Sequence, residues 1–150
     1  MEKQSYKTLI YHFEPNEGFP SPRFIDSNGV PLIEPCYQIE LNHLESIELS
    51  SLAGKFPKDL SFGWMCSPIF RDVIVWQNSL GQRTRIFELC FTCDQYELSD
   101  GSGILIVEDV KKNDFIEPIK SLKALFKKFD IQNNIHRNLG ISISESPEGT

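Results

Sequence analysis

Long apolar runs are what this chain most plainly lacks. No stretch of its 150 residues approaches the length that spans a bilayer, and no apolar h-region follows Met1-Glu2-Lys3-Gln4-Ser5-Tyr6-Lys7. Both absences lead us to expect a cytoplasmic protein with no membrane partner. Basic residues are also short: 15 Lys and Arg against 21 Asp and Glu give a formal net charge of −6. Nucleic-acid binding depends on cations that neutralise phosphates, so it is not expected. An acidic surface favours basic partners instead. There is no Gly-x-Ser-x-Gly elbow and no glycine-rich phosphate loop. His12, His43 and His136 are scattered, and none neighbours a nucleophile in sequence. These gaps predict a protein that is not an enzyme and needs no cofactor.

What is present suits one α+β domain over residues 1–141, followed by a Ser-, Glu-, Pro- and Gly-rich tail over 142–150 that is expected to be disordered. Apolar residues make up 40% of the chain and charged residues 24%, ordinary values for a globular domain. Four cysteines fit a reducing compartment, where Cys behaves as a small buried hydrophobe. Tyr6–Phe13 is rich in aromatic and β-branched residues and predicts a first strand. Five prolines between Pro15 and Pro35 exclude a long helix there, and Asn28-Gly29 predicts a tight turn, with Pro31 confining any hairpin to an edge. Leu41, Leu44, Ile47 and Leu52 recur near helical spacing, with Glu45 and Glu48 on another face. We read a helix over Leu44–Ala53 closed by Gly54. Ile104–Val107 predicts a strand after a turn at Asp100-Gly101-Ser102-Gly103. A second helix is expected over Phe115–Phe129. Ile119, Leu122, Leu125, Phe126 and Phe129 form its apolar stripe. Pro118 sits in its first turn, and Lys120, Lys123, Lys127 and Lys128 lie off the stripe toward the C-terminal end of the dipole.

The centre of the chain predicts a hairpin over residues 69–96, the core of an antiparallel sheet against which the helices pack. Two β-prone runs flank Asn78-Ser79-Leu80-Gly81. A four-residue loop there places Gln77 opposite Gln82, Arg71 opposite Glu88, Val73 opposite Ile86 and Cys66 opposite Cys93. Opposite charges facing each other would add up to about 1 kcal/mol.

Several constellations invite chemistry. Cys90-Phe91-Thr92-Cys93 has zinc-knuckle spacing, but a knuckle needs a tight turn, and Phe and Thr favour strand. Burial of both cysteines in the core is the commoner meaning. His43-Leu44-Glu45 with Cys90-x-x-Cys93 has the shape of a zinc deaminase signature, with Leu89 where that signature has Pro. A small zinc- or cysteine-dependent enzyme using His43, Glu45, Cys90 and Cys93 is therefore the alternative reading. Asp26-Ser27-Asn28-Gly29 begins like a calcium loop but lacks the later acidic ligand, so it reads as a turn. Asp94, Glu97, Asp100, Glu108 and Asp109 gather around the hairpin end and the next strand. They form a candidate acidic rim for docking a basic protein, although a solvated sheet edge has the same appearance. An open sheet edge also permits a homodimer.

The block Cys66, Pro68, Arg71, Val73–Trp76, Cys90-Phe91-Thr92-Cys93 and Leu122–Phe129 resembles a group of small uncharacterised bacterial proteins with a Cys/Pro/Arg strand and a Cys-Phe-x-Cys hairpin. In that pattern the Pro and Arg are adjacent, whereas Ile69 and Phe70 separate them here. The overall character is also similar to bacterial immunity proteins, which are small, acidic, cytoplasmic and free of catalytic motifs. That resemblance is one of type and carries over no residues. It implies an inhibitor that occludes the active site of a cognate toxin, many of which are basic nucleases.

Overall fold

The computed structural model describes residues 7–15, 18, 21–56, 59–61, 69–78, 80–92, 95–99, 112–137 and 139. The chain divides into two compact units, Met1–Ile106 and Val107–Thr150. The class is α+β. The first unit holds strands β1 (Lys7–His12), β2 (Tyr37–Glu40), β3 (Asp59–Ser61), β4 (Asp72–Gln77), β5 (Arg83–Cys90) and β6 (Gln95–Ser99), with helix α1 (His43–Ala53). The strands form one sheet in the order β2-β1-β4-β5-β6-β3, and every neighbouring pair is antiparallel.

Strands β1 and β4 lie inside the sheet and are buried along almost their whole length, as an apolar run covered on both faces must be. On one face Leu9, Tyr11, Val73, Val75 and Ile86 meet Phe13, Phe24 and Ile25 from the proline-rich loop. That loop folds back through the predicted turn. Asp26 accepts hydrogen bonds from the Asn28 and Val30 amides, and Ile25 bridges Pro31. Gly29 has a φ of 81°, where a side chain is strained, and a Cβ there would also press on Val75 Cγ1 at 3.0 Å. On the other face, the Trp76 indole N–H donates to Ser50 Oγ of α1 at 3.0 Å, and Phe56 packs edge-on to Phe87.

The hairpin register differs from the expected one by two residues: Val73 faces Glu88, and Val75 faces Ile86. Turn chemistry is the cause. Asn78 closes a five-residue loop, accepting from the Leu80 and Gln82 amides through its side chain, while Gly81 turns at φ 82°. A bulge beside Trp76 and Gln77 absorbs one further residue. A slip of two leaves every side chain on its expected face, but Arg71 reaches Glu14 rather than Glu88. The Cys66–Cys93 pairing lies outside the described residues. The second strand also ends earlier than expected. It stops at Cys90, the chain turns at Phe91 and Thr92, and Gln95 opens β6 opposite Cys90.

Helix α1 starts at a capping box: Asn42 accepts from the Glu45 amide, and Glu45 accepts from the Asn42 amide. It ends, as expected, at Gly54, whose φ of −65° is right-handed. Its buried residues are Leu49 and Ala53, not Leu44 and Ile47, which face solvent.

In the second unit, α2 spans Lys112–Gln132. Ile119, Leu122, Phe126 and Phe129 are buried as the stripe requires, but Lys123 is buried with them. The helix begins three residues earlier than predicted, so Pro118 falls in its interior. Its last turn carries Asp130 rather than a lysine, and Arg137 beyond the end holds that buried carboxylate at 2.8 and 3.1 Å. The 104–107 strand, the 100–103 turn and the 142–150 tail lie outside the described residues. Among the described residues, no helix is long and apolar enough to cross a membrane.

Candidate functional site

Two charged clusters are built into the sheet. In the first, the fully buried His12 ring lies between two carboxylates, with Nδ1 2.9 Å from Asp72 and Nε2 2.8 Å from Glu14. Ionised carboxylates only accept, so both contacts are hydrogen bonds at once only when each ring nitrogen carries a proton. Arg71 Nη1 extends the chain to Glu14 at 3.4 Å. In the second cluster, Glu88 and Glu97 are direct partners across β5 and β6. Like charges directly opposite repel. Arg23 answers them by donating through Nη1 to Glu88 and through Nη2, at 2.7 Å, to Glu97, with its guanidinium 4.7 Å above the Phe70 ring. Burial pushes the Glu88 carboxyl above its usual range. Arg23 pulls it back, and the Glu97 charge adds to the rise. Desolvation lowers the Arg23 pKa, but the Glu97 hydrogen bond and both carboxylate charges outweigh it, and the net shift is upward.

Neither cluster leaves a reactive group free. Each ring nitrogen of His12 meets a carboxylate where a nucleophile would have to stand. The zinc-type set is separated by the sheet. His43 and Glu45 begin α1, Glu45 serves as the capping acceptor, and α1 lies on the face of Trp76, where Phe56 beyond its end meets Phe87. By strand alternation Cys90 shares the opposite face with Ile86 and Glu88, and it is buried against Phe70. Cys93 lies outside the described residues. Among the described residues, no group of three or more His, Cys, Asp or Glu could hold a metal ion.

The expected acidic rim is only partly placed. Glu97 is engaged by Arg23, so it is a sheet residue before it is a docking residue. Asp94, Asp100, Glu108 and Asp109 lie outside the described residues.

A different acidic surface stands out. From Phe24 to Gly54 the chain has no Lys or Arg, yet it carries Asp26, Glu34, Glu40, Glu45 and Glu48. Arg23 and Lys55 bound this segment, which forms the turn over Val75, the edge strand β2 and α1. Glu34, Glu40 and Glu48 are exposed, and none has an ion-pair partner among the described residues. Four large apolar side chains in the same segment also face solvent: Val30, Leu32, Leu44 and Ile47. The long interval without a cation was the signal in the sequence for this surface. A search for clustered acids passes over it because the acids are spread out.

No family model, curated protein or solved structure matches the chain.

Proposed function

We propose that this is a non-enzymatic protein-binding protein, a bacterial immunity-type inhibitor that neutralises a basic toxin by covering its active site. The observation that carries this reading is the 24–54 segment without Lys or Arg, where Glu34, Glu40 and Glu48, exposed and without an ion-pair partner among the described residues, accompany the exposed Val30, Leu32, Leu44 and Ile47. Charge of one sign steers an oppositely charged partner and rejects others, while apolar side chains supply the contact area that holds it. The two charge clusters of the sheet support the same reading from the other side, since each pairs its own charged groups internally.

The test is to co-purify the protein with the product of each neighbouring reading frame. We expect one of these to form a stoichiometric nanomolar complex, to lose its own activity in that complex, and to associate more slowly as salt rises. Failure of every neighbouring product to bind would remove the immunity reading.

A further inference from the structure

The outward stripe of α1 is where such a partner would be gripped. Residues 44, 47, 48 and 51 share one side of a helix, and this is the side turned away from Leu49, Ala53 and the sheet. Leu44 is 71% exposed and Ile47 51%, one turn apart. Glu48 stands beside them with no ion-pair partner among the described residues, and Glu40 ends the adjoining edge strand in the same state. Neither apolar side chain is needed for the helix to form. The capping box sets its start, and Leu49, Ser50 and Ala53 fix its inner face.

We infer that Leu44, Ile47, Glu48 and Glu40 form a docking surface for a basic segment of a partner protein, one that offers an apolar side chain flanked by Lys or Arg. This rests on the protein-binding reading above and names the surface it uses. Charge complementarity selects the occupant. The surface has two apolar anchors and carboxylates but no cation between residues 24 and 54, so a partner must bring the cations itself. A second copy of this chain would bring the same carboxylates to the contact and is disfavoured.

The probe is a synthetic amphipathic helix of Lys and Leu only, with a Glu/Leu counterpart as control, added to the full chain and followed by methyl and amide NMR shifts. The Lys/Leu helix should perturb the Leu44 and Ile47 methyls first, and the Glu/Leu helix should perturb nothing. Leu44→Ala with Ile47→Ala should weaken binding by about tenfold or more, and Glu48→Lys should weaken it further as salt is lowered. Both Ala substitutions remove exposed atoms from a helix that Ala favours, so an unchanged melting temperature verifies the fold. Shifts centred elsewhere, or affinity unmoved by the double variant, would overturn the inference. So would a homodimer in solution that protects the same methyls. The two proposals fail separately. A neighbouring product that binds the double variant as tightly as the wild type removes this surface but leaves the inhibitor reading. Peptide binding as expected, with no neighbouring product bound, leaves the surface and removes the inhibitor reading.

Discussion

The acids of the sheet and the acids of the 24–54 segment obey opposite rules. Asp72, Glu88 and Glu97 sit on or beside apolar strands, and each is met by a cation or an imidazole placed for it. Glu34, Glu40 and Glu48 have open water around them, and no cation in their stretch of chain could answer them. A buried carboxylate without a partner is too costly to keep, so the first set reports how the fold is held together. An exposed carboxylate without a partner costs the fold little, so the second set adds nothing to what holds the described residues together. The comparison separates acids that hold the fold together from acids the described fold does not use.

The sharpest way to break the contrast is His12→Ala. It removes a fully buried ring and takes from Asp72, 1% exposed, one of the groups that hold it. We expect a loss of about 3 kcal/mol or more, read as a shift in the urea midpoint. Glu14→Ala touches the same ring from the solvent side and should cost less than about 1 kcal/mol. Equal losses from the two would mean that the cluster is not organised by burial.

Next in size is Arg23→Ala, which leaves Glu88 and Glu97 facing each other across β5 and β6. With Arg23 and Glu97 part-exposed, a loss of about 1–3 kcal/mol is expected. Lysine should rescue only part of it, because one ammonium cannot fork to both carboxylates. Glu88 adds a pH signature. Its folded pKa lies above the ordinary carboxyl value of 4.5. Between the unfolded and folded values the native state therefore holds more protons than the unfolded chain, and stability from this group falls as pH rises from about 4.5. Wild type should therefore lose stability relative to Glu88→Gln over that rise, and below the window the difference should be flat. A difference that grows in the opposite direction would show that Arg23 outweighs burial.

Much of this frame was legible in the sequence, and the illegible parts have physical causes. Strand β1, the Asn28-Gly29 turn, α1 and α2 announce themselves by periodicity and turn residues, which act locally. Strands β2 and β3 are four and three residues long, too short to show a period, and are fixed by the neighbours they pair with. The hairpin register slipped because Asn78 and a bulge set the loop length, and residue types alone do not count bulges. The inward face of α1 was misassigned for a more telling reason. Leu44 and Ile47 fit an apolar stripe by spacing, and the structure turns them to water. An apolar pattern reports which side chains avoid water in some state of the molecule, and that state can be a complex. The Arg23 clasp was invisible because its members come from a loop and two strands far apart in sequence.

The smallest expected effect tests the free side of the comparison. Glu34→Gln, Glu40→Gln and Glu48→Gln should each change stability by less than about 0.5 kcal/mol, since no ion-pair partner among the described residues is lost. Their melting curves should overlay that of the wild type. Removing them together lowers self-repulsion in a chain of net charge −6, so the triple variant should be no less stable than the parent. Glu45→Gln belongs in the same series as an internal control. It keeps the capping acceptor, whereas Glu45→Ala removes it and should destabilise α1 by about 1 kcal/mol. Should any of the three exposed glutamates prove worth as much as that cap, it would have an internal role after all. The line between acids that hold the fold and acids it leaves unused would then have to be redrawn at that residue.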